Sequence, residues 1–409
     1  MIKTALRTPG SARFLVAAGV TRAALGLIAL STILLLTPKF GWAIAGQVAG
    51  VIVLSAAVSK LFLTSWADRA GQSPILRLSI PGQSAAIGVF VVSFFVGAPV
   101  WVLFILAALL GAVEAPVGAF TRARWISATS DPSIVKTAFS LESVVDEFIF
   151  VVGPLVVVAL AALFGGGYAG LIVAAALIAG GGYWLLSQKT TDPGPSTGVR
   201  QSPFAVLTSK PIICAVMGLF VGLMFGTVDI SVVSFFDDGS GETSYGPAGM
   251  LLAAWATSSV VSGLLLAKYA HRFHVPDFRL IWVSAVGVAA CIAPVAICGG
   301  GQSIWFTVVL VTLSGFFNSP LMIGITHTMQ LMAKDGLLTG SLGLVSSAIT
   351  AGVALGFALG GILVEFFFPG ASFGAAATVM LFLVVFVGAA RARLWSPEPN
   401  ACAPKPHMV

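Results

Sequence analysis

QKTTDPGPSTGVRQSP, residues 188–203, is a polar passage rich in Pro, Gly, Ser and Thr near the middle of an otherwise apolar chain. On either side lie apolar runs of about 20 residues or more, the length a helix needs to cross a hydrocarbon core of roughly 30 Å. The passage therefore reads as a linker between two membrane-embedded halves of similar size. Composition agrees: of 409 residues, 58% are hydrophobic and 9% charged, with a mean hydropathy of +1.02. Soluble domains carry about a quarter charged residues, so this chain cannot build a water-exposed surface. The alternation over about ten residues that marks barrel strands is absent. The fold class is an all-α, multi-spanning membrane protein.

Hydropathy gives twelve spans, at 13–36, 41–63, 78–98, 101–122, 137–163, 167–187, 211–235, 247–269, 279–298, 303–332, 340–366 and 371–391. The expected organisation is an N-terminal six-helix bundle (1–187), a linker (188–206), a C-terminal six-helix bundle (207–395) and a tail (396–409). Of the 21 Lys and Arg, all but Lys39 and Arg22 fall on the side that holds both termini. The positive-inside rule makes that side cytoplasmic, so a multi-pass protein of a bacterial inner membrane is expected. The basic balance thus reports orientation and gives no sign of nucleic acid. The first apolar run follows Lys3, Arg7 and Arg13, but its length and Arg22 mark it as a retained span. The four cysteines have no metal or disulfide spacing.

The halves echo each other. ADRAGQSP (67–74) and AHRFHVP (270–276) both place Ala-x-Arg after the second span of a half, and TAFSLESVV (137–145) and TGSLGLVSS (339–347) open the fifth and eleventh spans. Such six-span repeats are a pattern of alternating-access transporters.

On these features, and on SWADRAGQ (65–72), the chain resembles the major facilitator superfamily along nearly its whole length. Asp68, Arg69 and Gly71 stand as in that superfamily's loop between spans 2 and 3, with Thr64 and Gln72 departing from it. Gly153-Pro154 in span 5 is similar to a motif of the drug–proton antiporter branch, although Leu155, Val156 and Val157 replace the glycines that usually follow. In span 4, Glu114 stands where the family often has arginine. The resemblance implies two pseudo-symmetric six-helix bundles, a central cavity lined by spans 1, 4, 7 and 10, and a cytoplasmic gate loop at Asp68, Arg69 and Gly71.

Ionisable residues within spans are costly and usually face a cavity or a partner. A rise of 1.5 Å per residue from the nearest cytoplasmic basic residue puts Arg22, Glu114 and Asp146 at about 12–15 Å depth, Glu142 and His327 at roughly 10 Å, and Asp229 at about 28 Å. The layer of Arg22, Glu114, Asp146 and Glu147 is the candidate site, with Arg22–Glu114 the first pairing expected. Glu142 and Asp146, four apart, share a helix face, and two carboxylates in a low-dielectric site favour a shared proton. Asp146, Glu147 and Glu114 are the proton-coupling candidates. Arg22, Glu114, Asp229, His327 and Asn318 are the candidates for substrate contact or ion pairing. A simple rim pair with Arg122 or Arg124 remains the plainer reading of Glu142. Pro154 removes a backbone donor, so a kink is expected at Gly153 and Pro154.

Met217, Phe220, Met224 and Phe225 in span 7, and Phe316, Phe317, Asn318, Met322, Met329 and Gln330 in span 10, offer an adaptable surface for a lipophilic or amphipathic ligand. The expected function is proton-coupled efflux of such small molecules, by a monomer in the bilayer. Proton-coupled uptake of a nutrient or metabolite and an uncoupled facilitator are the alternatives, and a receptor is the reading outside transport. Neither a cofactor nor a metal is expected, and no nucleophile or nucleotide-binding constellation suggests an enzyme.

Overall fold

The computed structural model describes residues 8, 10–129, 131–189, 192–194, 209–236, 245–269, 276–298, 304–332 and 338–395. Among them every regular element is a helix: α1 (Ser11–Ala70), α2 (Gln72–Phe95), α3 (Val100–Ala112), α4 (Val117–Ala128), α5 (Pro132–Phe164), α6 (Tyr168–Ser187), α7 (Ser209–Phe235), α8 (Tyr245–Tyr269), α9 (Asp277–Cys298), α10 (Ile304–Gly315), α11 (Asn318–Met332), α12 (Leu338–Phe366) and α13 (Pro369–Trp395). Ten helical stretches among the described residues are long and apolar enough to cross a membrane. The first covers 57 residues, far more than one crossing needs. It is broken at Gly41, whose φ of 77° and ψ of 173° are not helical, leaving two arms, 11–40 and 42–70. In α5 the apolar stretch among the described residues is Val152–Phe164. These two features account for the difference between ten stretches and the twelve spans expected.

Two spans are interrupted within the apolar layer. Span 4 is α3 plus α4, separated at 113–116, where Pro116 lacks an amide donor and holds its predecessor out of the helical region. Span 10 is α10 plus α11, separated at Phe316 and Phe317. The breaks follow matching contacts. Gly111 of α3 packs against the Ile52 carbonyl and Ser55 hydroxyl of the second arm; Gly315 of α10 packs against the Trp255 carbonyl and Ser258 hydroxyl of α8. Any larger side chain would strike backbone at both places. The same glycine–carbonyl–serine arrangement thus recurs in both halves.

Within the C-terminal half, α7 and α12 pack backbone to backbone. A Cβ on Gly222 would lie 2.8 Å from the carbonyl carbon of Ile349 and 2.9 Å from the Val353 nitrogen. Between the halves, contact is concentrated at the end remote from the termini. There Gly46 of the second arm lies against the Phe357 carbonyl of α12, and Gly361 of α12 against the Trp42 carbonyl. A Cβ on Gly50 would stand 2.6 Å from the Ala354 oxygen, and one on Gly249 of α8 would stand 2.8 Å from Val158 Cβ of α5. Toward the other end Gly343 of α12 has nothing within 4 Å. The halves meet at the end remote from the termini.

Candidate functional site

Small residues bring the first arm onto α5. A Cβ on Gly19 would be 3.4 Å from Val145 Cγ1, one on Gly26 would be 3.0 Å from Ile149 Cγ2, and one on Gly153 would be 3.4 Å from the Gly26 oxygen. Gly19, Arg22 and Gly26 occupy one helix face, so the approach presses Arg22 against the α5 face that carries Glu142, Asp146 and Gly153. Helix α5 continues through Pro154, and Gly153 is a point of close approach to the first arm.

Arg22 is 7% exposed and Glu142 fully buried. Arg22 Nη1 lies 3.0 Å from Asp146 Oδ1 and 3.7 Å from Glu142 Oε2. Arg122 of α4 approaches Glu142 from the rim, with Nε 3.9 Å from Oε2. The Asp146 side chain is 37% exposed, so one acid is sealed and the other reachable. Among the described residues, the guanidinium nitrogens of Arg22 and both oxygens of Glu142 complete no hydrogen bond. Charge, not aligned hydrogen bonding, holds the group together, and Arg22 is shared by two acids.

The expected Arg22–Glu114 pair is not formed. Glu114, 6% exposed at the span-4 break, is ion-paired with Lys60 of the second arm. A lysine stem is long enough to carry its ammonium inward from a rim position, which depth counted along one helix does not reveal. Glu142, by contrast, meets both Arg122 and Arg22, so it belongs to the deep cluster as well as the rim. The side chains of Glu147 and Asp68 lie outside the described residues. Arg69 is exposed, and Gly71, at φ 82°, makes the turn into α2 while its amide donates to the Ala67 carbonyl over 2.8 Å.

The remaining candidates are dispersed. His327 of α11 is on the rim, with Nδ1 2.9 Å from Asp277 Oδ2 of α9 and its side chain 53% exposed. Asn318 is buried at the span-10 break, and its Oδ1 has no hydrogen bond among the described residues. Asp229 of α7 is half-buried and has no ion-pair or hydrogen-bond partner among the described residues. Met217, Met224 and Met329 are fully buried, and Phe220 and Phe225 pack on Phe386 and Trp255. Most of the expected adaptable surface is therefore core.

One cluster was not foreseen. Gln72, standing where the resemblance leads one to expect a basic residue, accepts a 2.9 Å hydrogen bond from Nε of the buried Arg124 and donates to the Phe120 carbonyl over 3.0 Å. Beside it the Ser73 hydroxyl donates to Asp192 Oδ2 over 2.6 Å, and the Gly194 amide donates to Asp192 Oδ1 over 3.1 Å. Arg124 of α4 thus sets a buried positive charge beside this loop, and the start of the linker is tied to the same place.

The family profile of the Major Facilitator Superfamily matches residues 14–338. The chain belongs to that superfamily. Among solved structures, it is similar to a point mutant of the nucleoside transporter NupG, at 15% identity over 93% of this chain and 99% of that one, with a TM-score of 0.70. It is also similar to a bacterial homologue of the iron transporter ferroportin in its inward-facing state, at 18% identity, 93% and 98% coverage and a TM-score of 0.63. A structure titled as a bacterial metal transporter follows at 15% identity, 93% and 98% coverage and 0.58. No curated protein sequence matches the chain. At these identities the likeness establishes the superfamily's transporter fold, and the drug–proton antiporter branch gains no support from it.

Proposed function

We propose that this superfamily member is a proton-coupled secondary transporter that works by alternating access, with Arg22, Asp146 and Glu142 as the coupling group. The observation that carries the reading is the buried arginine shared between a sealed acid and a reachable one. Protonation of Asp146 removes its charge and leaves Arg22 to Glu142 or to an anionic group on the substrate. Loss of the proton draws Arg22 back. A structural ion pair would need only one acid, and in a low-dielectric setting an extra one is costly.

The charge distribution supports a cytoplasmic side for the termini. Export of small amphipathic compounds fits the charged group set in apolar walls. Uptake of a more polar metabolite is the second reading, favoured by the burial of Met217, Met224 and Phe220, which removes much of the wall a lipophilic ligand would use.

Inverted vesicles carrying the protein test both. With an imposed pH gradient, an exported substrate should dissipate it, and Asp146→Asn should abolish the response while leaving insertion intact. Accumulation of the compound by intact cells, with no dissipation in inverted vesicles, would select uptake. Wild-type proton movement in both Asp146→Asn and Glu142→Gln would remove the coupling assignment.

A further inference from the structure

Glu365 stands at the last turn of α12, on the side of the molecule where the halves meet. Its Oε2 accepts a 2.7 Å hydrogen bond from the backbone amide of Trp42, the first residue of the second arm after the break at Gly41. The two residues are 323 positions apart and belong to different halves. First-turn amides of a helix are ordinarily satisfied by a side chain just before the helix. Here that place is held by Gly41, which has no side chain and could not be replaced by a larger residue. Its φ of 77° is left-handed, and an added Cβ would sit 2.6 Å from Glu365 Oε2. The local chain therefore leaves the position open, and the opposite half fills it with a carboxylate, the group best suited to amide donors at a helix start.

The contact sits within the tightest part of the interface. Gly361, one turn earlier on α12, lies against the Trp42 carbonyl, and an added Cβ there would be 3.3 Å from Gly46 Cα; Gly46 in turn lies against the Phe357 carbonyl. None of these contacts survives if the second arm and α12 separate.

We infer that Glu365 is the latch of the closed side, a positioning residue for the transport cycle that stabilises the closed arrangement by capping the other half's helix and must let go for that side to open. The inference rests on the alternating-access reading. Loss of the carboxylate removes a hydrogen bond that exists only where the halves meet, so the closed state alone is weakened. Glu365 is exposed, so its substitution leaves the core intact.

The test measures the distance across the closed side between spin labels at Val96→Cys and Phe367→Cys, both exposed there, in full-length protein in lipid nanodiscs. The wild type should show mainly the short distance. Glu365→Ala should raise the ratio of open to closed by about tenfold, as expected for a charge-assisted hydrogen bond, and Glu365→Gln by less, because the amide oxygen still accepts. If Glu365→Ala fails to insert, Glu365→Gln carries the measurement. Gly46→Trp, which wedges the same interface, is the reference. An unchanged Glu365→Ala beside a lengthened Gly46→Trp overturns the latch and leaves alternating access standing. If neither lengthens the distance, the halves do not rock, and both readings fall.

Discussion

At the scale of single residues, the molecule's chemistry turns on how one arginine is divided between acids. Truncating one member of a buried ion pair typically costs about 3–5 kcal/mol, because its partner stays charged and unpaired. Glu142, fully buried, keeps only Arg122 at 3.9 Å if Arg22 is removed. Arg22→Gln should therefore lower thermal stability and abolish transport, and adding Glu142→Gln should recover stability but not transport. A melting curve and a vesicle flux assay on the two variants separate these effects. That Arg22 and Asp146 stand level with each other was legible in the sequence, since rise per residue is fixed. The partners were not, because pairing depends on helix rotation and on how far a side chain reaches. Lys60 illustrates the second factor, counted at the rim yet paired with the buried Glu114.

Among the elements, glycine decides which helices touch. The atoms nearest a Cβ on Gly222 are backbone of α12, and backbone cannot step aside as a side-chain tip can. Gly222→Ala should therefore destabilise the protein by roughly 1–3 kcal/mol as overpacking, read as a lower melting temperature. Gly88→Ala, at a helical position with nothing within 4 Å, should match or exceed the wild type, since alanine is the better helix former. The spans themselves were legible because a 20-residue apolar run has few alternatives. The breaks at 113–116 and at Phe316 and Phe317 were less so, because hydropathy does not change there. The paired environments of Gly111 and Gly315 show what was hidden. Ile52 and Ser55 stand at the same offset from Trp255 and Ser258 as Ala67 does from Ala270, so the weak echo of the two loops marks a structural repeat in register.

For the whole molecule, the relation of the halves was beyond the sequence, since the contacts that join them link residues as far as 323 positions apart. The linker was recognised as a divider, but its attachment was not, because Gln72, Ser73, Arg124 and Asp192 are remote in sequence and ordinary in type. Their contacts fix Asp192 and Gly194, at the start of the linker, to the N-terminal bundle. Partial burial works against the Asp192 carboxylate. The Ser73 hydroxyl, the Gly194 amide, the Arg124 charge and the Gln72 amide outweigh it and hold its pKa below the ordinary 3.8. A depressed carboxylate pKa contributes stability that is present above the ordinary value and lost as pH falls through the folded one. Asp192→Asn removes that contribution. The wild type should therefore melt above the variant by a constant margin from about pH 5 to pH 8, and the margin should close as pH drops below about 4. A margin that persists unchanged in acid would mean that the hydrogen bonds from Ser73 and Gly194, not the charge, hold the linker, because asparagine keeps the volume of aspartate but turns one of its two acceptor oxygens into a donor.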